Sequence, residues 1–331
     1  MKNLDLKLAR IRSGAYKPQD FILADAKDAE MAFCLQAPGP ARDASGNLLP
    51  TTADRAAYLQ AMREMTRSGR IDILLASVST AEILSQEGVF TDSPVTLAVR
   101  FNDTTDIWCQ RGARYLQSPS RPFRTARLGK LRPLVDLGLY SVTFSNELEH
   151  DLRTLEAYSA FRAEAADLGL RHFLEVFNPA FDVAIPTAEI GLYIADSIVR
   201  SLAGVLAAEQ PVFLKIAYNG RRAMEQLAHY DPTRLVVGIL GGSKGTTRDT
   251  FELLARAEEA GARVALFGRK INYAESPLTL VALMRRVLER ELTPLEAVKD
   301  YHRTLASMGI RPVLALADDL IISDPILKAE A

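Results

Sequence analysis

Cysteine is nearly missing from this chain: Cys34 and Cys109 are the only two in 331 residues. Two cysteines make no disulfide framework, and a reducing, cytoplasmic setting is the expectation. Histidine is scarce as well. His150, His172, His229 and His302 show no close spacing, so no histidine metal site is legible. Carboxylates holding Mg²⁺ remain an alternative that spacing does not address. An excess of one charge is also lacking. The formal net charge is -1, with both signs mixed along the chain, which argues against the strong basic balance of a nucleic-acid binder. No apolar run is long enough to span a bilayer, so no membrane partner is expected. The first ten residues lack the continuous apolar core of a signal peptide. What the chain does have is material for a core: 48% of its residues are hydrophobic and 24% charged, as in soluble globular proteins.

Short apolar runs and amphipathic stretches alternate along the sequence. Strands are expected at 20–25, 71–76, 94–101, 139–144, 172–177, 211–218, 234–240 and 263–267. Helices are expected between and after them, at 53–68, 80–86, 131–137, 147–168, 187–208, 223–230, 247–260, 277–291 and 294–308. Pro38, Gly39, Pro40, Gly46, Asn47 and Pro50 make 36–52 a loop. The stretch 312–327 is apolar but has no clear period. Eight strand-to-helix alternations predict a (β/α)8 TIM barrel: one domain over 1–331, with its core at about 20–291 and a C-terminal helical extension at 292–331. The competing doubly wound sheet would need a G-x-G-x-x-G turn after the first strand, and none follows Asp25.

In a TIM barrel the site lies at the C-terminal ends of the strands. That rule selects Asp25, Asn102, Glu175, Lys215 and two glycine turns. Lys215 sits inside the apolar run Pro211-Val-Phe-Leu-Lys215-Ile-Ala-Tyr218. Burial disfavours the ammonium form, and a neutral amine can attack a carbonyl to give a Schiff base. A snorkelling lysine or a buried ion pair is the alternative. Glu175 stands among Phe173, Leu174, Val176 and Phe177. Such a carboxyl suits a general acid or base, or else a structural partner for Lys215. Asp25 closes the first strand, and Lys27, Asp28 and Glu30 follow it. Gly241-Gly242-Ser243-Lys244-Gly245 follows the seventh strand, with a capping box at Thr246 and Asp249 opening the next helix. Gly268-Arg269-Lys270 follows the eighth. Loops in these two places form the usual phosphate site of the fold. The arginines at 121, 124 and 127 read as a solvated face rather than a first-rank site.

These residues carry a resemblance. Phe213-Leu-Lys215-Ile-Ala-Tyr, Gly241-Gly-Ser-Lys and Phe267-Gly268-Arg269-Lys-Ile look like the class I, Schiff-base aldolases of the TIM-barrel superfamily. That group includes the archaeal-type fructose-bisphosphate, tagatose-bisphosphate and deoxyribose-phosphate enzymes. The resemblance implies retro-aldol cleavage of a phosphorylated ketose through an imine on Lys215. It implies a proton shuttle at Glu175 and hydroxyl handling at Asp25. Gly241, Gly242, Ser243, Gly268, Arg269 and Lys27 would hold the substrate and its phosphate. It implies no metal or organic cofactor, a sugar phosphate as the only small-molecule partner, and a homo-oligomer. The sequence also departs from the pattern: the fifth strand carries Glu175 where the archaeal type has a tyrosine, and 139–146 has no lysine. A transaldolase, a sugar-phosphate isomerase or epimerase, and a non-catalytic sugar-phosphate-binding barrel are the other readings.

Overall fold

Ile22-Leu-Ala-Asp-Ala-Lys27 is buried at every position, as expected of a parallel strand covered on both faces. In the computed structural model, which describes residues 2–43 and 46–330, this strand (β1) opens a closed barrel. The other strands are β2 Ile73–Ala76, β3 Thr96–Arg100, β4 Leu137–Thr143, β5 Arg171–Phe177, β6 Leu214–Ile216, β7 Gly238–Leu240 and β8 Val264–Phe267. Each pairs in parallel with the next, and β8 returns to β1 in the register Ile22↔Val264 to Asp25↔Phe267. The eight-stranded barrel expected from the alternation is therefore present, with helices between strands and further helices after β8.

Strand periodicity divides the side chains into two sets. Ile22, Ala24, Ile73, Ala98, Phe173 and Leu266 fill the barrel interior. Leu23, Leu74, Val99, Leu174, Leu214 and Ala265 face the helices. The packing between strands leaves no slack. A Cβ on Gly238 would sit 2.5 Å from the Leu214 carbonyl oxygen and 2.8 Å from Val264 Cβ, so only glycine fits between β6 and β8 there.

Several local expectations differ from the structure. A helix at Asn3–Arg12 lies across the N-terminal end of the barrel, where Leu4, Leu8 and Ile11 join the interior cluster. Leu4, Leu8 and Ile11 keep the helical spacing, but exposed Leu6 adds a two-residue alternation that masks it. The 36–52 loop holds a two-stranded antiparallel hairpin, Pro40–Arg42 with Leu48–Thr52. Proline and glycine there mark its bends and its turn; residues 44 and 45 fall outside the described set. The short helix expected at 131–137 is absent. A 3-10 turn at Leu128–Lys130 takes its place, and β4 starts at Leu137. The apolar stretch after 312 forms two short helices, Leu316–Asp319 and Pro325–Ala329. No helix among the described residues is long and apolar enough to cross a membrane.

Candidate active site

The register of β4, β5 and β6 places Ser141, Glu175 and Lys215 side by side, because Ser141 pairs with Glu175 and Glu175 with Lys215. All three are inward positions, two residues beyond Leu139, Phe173 and Phe213 of the interior cluster. The barrel wall thus changes from apolar to charged at this level. Lys215 Nζ lies 2.5 Å from Glu175 Oε1. Ser141 Oγ donates to Glu175 Oε2 at 2.9 Å, and Arg100 Nη2 reaches the same oxygen at 3.2 Å. Arg100 also donates from Nη1 to Ser141 Oγ at 2.8 Å and from Nε to Asp28 Oδ2 at 2.7 Å. Burial would lower the Arg100 value, but the carboxylates of Asp28, Glu175 and Asp103 outweigh it and hold the guanidinium above its ordinary range. Burial would raise the Asp28 carboxyl; Arg100 and Lys215 reverse that and hold it below the usual range. Asn102 fixes the backbone of this layer: its Oδ1 accepts from Ser141 N at 2.6 Å and its Nδ2 donates to Ser141 O at 2.8 Å.

A cavity of about 300 Å³ opens above this layer at the C-terminal ends of the strands. Asp28, Arg100, Asp106, Glu175 and Lys215 supply its charged wall, and Ala29, Phe33, Ile107 and Phe177 much of its apolar wall. Gly241, Gly242, Gly268 and Arg269 border it on the side of β7 and β8. Gly242 has φ +66°, a left-handed conformation that suits glycine. A Cβ on Gly268 would approach the Ala26 carbonyl oxygen to 3.0 Å. The capping box expected at Thr246 and Asp249 is formed. The N–H groups of the cap and of the first helical residue are already engaged: Thr246 N donates to Asp249 at 2.9 Å and Thr247 N to Asp319 at 2.6 Å. The glycine turns and Arg269 remain on this side, and the Arg269 guanidinium lies 5.2 Å from the Phe33 ring centroid. Ser243 is exposed and lies outside the cavity lining.

Asp25 and Lys27 are placed elsewhere. β1 runs on to Lys27, so Ala24, Ala26 and Asp28 take the inward positions, while Asp25 and Lys27 share the outward phase of Leu23. Neither residue lines the cavity. Lys27 Nζ stands 3.6 Å from Asp25 Oδ2 and donates to Asn272 Oδ1 at 2.5 Å. Asn272 in turn donates to the carbonyls of Ala37 and Pro38, so Lys27 tethers the turn after β8 and the hairpin segment to β1. The structure places Asp25 and Lys27, the expected catalytic and substrate-binding residues of β1, as a buried pair that does not line the cavity. Asp28 is the β1 carboxylate that reaches the site. Sequence reading missed it, together with Arg100 and Ser141. The available signal was the every-second-residue phase Ala24, Ala26, Asp28.

Neither Asp25 oxygen receives a hydrogen bond from a described residue. Burial, opposed by Lys27, raises this carboxyl to about 6. A carboxyl raised on folding binds its proton more tightly in the folded chain. Stability at this group is full at acid pH and is lost as pH rises through about 6. Asp25→Asn removes that loss. Its unfolding free energy relative to the parent should improve between pH 5 and pH 8 by roughly 1.5 kcal/mol, read by urea unfolding at both values. An equal difference at the two pH values would refute the assignment.

Among the described residues, no group of three or more His, Cys, Asp or Glu side chains is arranged to hold a metal ion. No protein-family model matches the chain. In sequence it is 26% identical over 223 residues, 65% of this chain and 77% of the relative, to an uncharacterised aldolase of Saccharolobus solfataricus. In structure it is similar to an archaeal fructose-1,6-bisphosphate aldolase (TM-score 0.62, 15% identity, 86% of this chain and 99% of that one). It is also similar to an archaeal fructose-1,6-bisphosphate aldolase whose catalytic lysine is bound to the substrate's carbinolamine (TM-score 0.63, 16% identity, 86% and 99%). A fructose-bisphosphate aldolase from Slackia heliotrinireducens aligns with TM-score 0.63 at 12% identity, over 91% of this chain and 90% of that one. At these identities the structural likeness shows the fold. The chain thus has the parallel eight-stranded barrel of the archaeal-type Schiff-base aldolases and a sequence relative named as an aldolase.

Proposed function

We propose that this protein is a class I aldolase that cleaves or forms a carbon–carbon bond next to a ketone carbonyl, through an imine on Lys215. The observation that carries the reading is the 2.5 Å contact between Lys215 Nζ and Glu175 Oε1 in the wall of the mouth cavity. It joins an amine nucleophile to a proton acceptor where a ligand can reach both. Glu175 takes a proton from Nζ, and the freed amine adds to the carbonyl carbon. The carbonyl oxygen then leaves as water after gaining two protons, the second returned by Glu175. The resulting iminium draws electrons from the bond between its α- and β-carbons, which breaks to give an enamine on Lys215. A carboxylate takes the hydroxyl proton of the departing half, which leaves as an aldehyde. Asp28, on the same cavity wall, is our candidate for that base. Protonation of the enamine and addition of water release the ketone and restore the amine. Arg100 and Ser141 hold Glu175 Oε2, which leaves Oε1 for Lys215. Support for a phosphorylated substrate comes from the glycine turns and Arg269 at the cavity rim.

The test is borohydride trapping. The protein is incubated with dihydroxyacetone phosphate and related ketoses, reduced, digested and analysed by mass spectrometry. An adduct on Lys215 is the expected result. An adduct on another lysine would overturn the site. No adduct with any carbonyl compound tried would overturn the imine reading and leave Lys215 and Glu175 as a structural pair.

A further inference from the structure

The segment after residue 312 lies outside the barrel, yet its polar groups converge on the loops that leave β6 and β7. Glu330 accepts a hydrogen bond from Tyr218 Oη at 2.9 Å and from the backbone N–H of Arg221 at 2.5 Å. Its carboxylate also lies 3.6 Å from Arg256 Nη1. Arg256 donates to the Leu327 carbonyl at 2.7 Å, and Leu327 is buried. Tyr218 follows Lys215 by three residues, and Arg221 opens the helix Arg221–Tyr230. One carboxylate therefore holds both ends of the Tyr218-Asn219-Gly220 turn. A carboxylate at the first N–H groups of a ten-residue helix also meets the positive end of its dipole. Asn219 continues the connection: its side-chain amide exchanges two hydrogen bonds, of 2.7 and 3.0 Å, with that of Asn178. Asn178 directly follows β5, the strand of Glu175.

The same segment grips the exit of β7. Thr247 N donates to Asp319, and Thr246 Oγ1 donates to the Ile321 carbonyl at 2.8 Å. Ser323 donates from its backbone N–H and its hydroxyl to Asp249. Asp319 is itself held by His302 Nε2 at 2.8 Å. Neither Glu330 nor Asp319 lines the cavity, so neither touches a ligand there.

We propose that the segment 312–330 is a clamp that positions Lys215 and Glu175, with Glu330 as its principal positioning residue acting through the Tyr218–Arg221 turn. The proposal rests on the imine reading for its catalytic consequence but not for its structural one. A displacement of about 1 Å at a reacting group lowers rate far more than affinity. Glu330→Ala is therefore expected to slow borohydride-trapped adduct formation on Lys215 by about 10- to 100-fold, with the concentration of dihydroxyacetone phosphate giving half-maximal rate nearly unchanged. Glu330→Gln keeps an acceptor for Tyr218 or Arg221 and should recover part of that loss. Hydrogen exchange at the amides of 219–222 should be faster in Glu330→Ala, whether or not an adduct forms. Wild-type exchange at 219–222 in the variant overturns the clamp. If the parent forms the adduct, an unchanged trapping rate also overturns it. A parent protein that forms no adduct overturns the imine reading alone, and the exchange comparison still decides the clamp.

Discussion

Lys215→Ala is expected to abolish adduct formation and to reduce carbon–carbon bond cleavage to background. The nitrogen that would carry the imine is gone, and no other lysine lines the cavity among the described residues. Glu175→Gln should retain the amine but lose the proton acceptor, which costs about 10²- to 10⁴-fold in a step governed by general acid–base catalysis. In the proposed mechanism the two side chains act in one step, so the double variant should be no slower than Lys215→Ala alone. Additive losses would mean that Glu175 works independently of the amine. The fold should survive these changes. Glu175 without Lys215 still has Arg100 and Ser141 on its other oxygen. Near-parental unfolding in denaturant would separate a catalytic loss from a folding one.

Arg100→Met is expected to produce the largest stability loss of any single change near the site, about 3–5 kcal/mol. The guanidinium is buried and donates to Asp28, Ser141 and Glu175, with Asp103 at 3.9 Å. Removing it leaves several buried carboxylates facing one lysine. Arg100→Lys should rescue little, because one ammonium cannot reproduce three differently directed donors. The pH dependence has a definite sign. Asp28 is held below the ordinary carboxylate range in the folded chain. It therefore adds stability at neutral pH that is lost as pH falls through its folded value. In Arg100→Met that contribution disappears, so parent and variant should converge toward acid pH. Urea unfolding at pH 7.5 and at pH 3, below the ordinary aspartate value of 3.8 where the loss begins, measures both effects. A difference under about 1 kcal/mol at pH 7.5, a surface ion pair's range, would show that the cluster is not held together by Arg100.

The sequence makes the barrel legible because a strand buried on both faces is a short apolar run, and eight of them alternate with helices. Lys215 and Glu175 are legible for the same reason, as charges interrupting such runs. Asp28 is not, because its assignment depends on where β1 ends. Ending the strand at Asp25 makes that residue the terminal carboxylate. Two further residues of strand shift the rim to Asp28 and turn Asp25 to the outer face. Arg100 was visible at the end of the third strand, but its partners lie on β1, β4 and β5. Such pairings come from barrel closure and have no local sequence signal. The helix Asn3–Arg12 escaped notice because its apolar residues serve the barrel floor rather than a helix–sheet layer.

That floor helix and β1 also set the order in which the chain can be completed. Arg12 hydrogen-bonds to the Val212 carbonyl, 200 residues away, and β1 finds its second neighbour only in β8, the last strand of the barrel. Contacts between such distant parts of a chain form slowly. Until β8 is in place, the second edge of β1 has no strand to pair with. Open strand edges invite pairing with other chains, and charged side chains discourage it. Asp25 and Lys27 lie on that strand, and both are buried in the finished barrel. Before closure, the two charges that stand outside the cavity in the finished barrel would oppose pairing of that open edge with another chain.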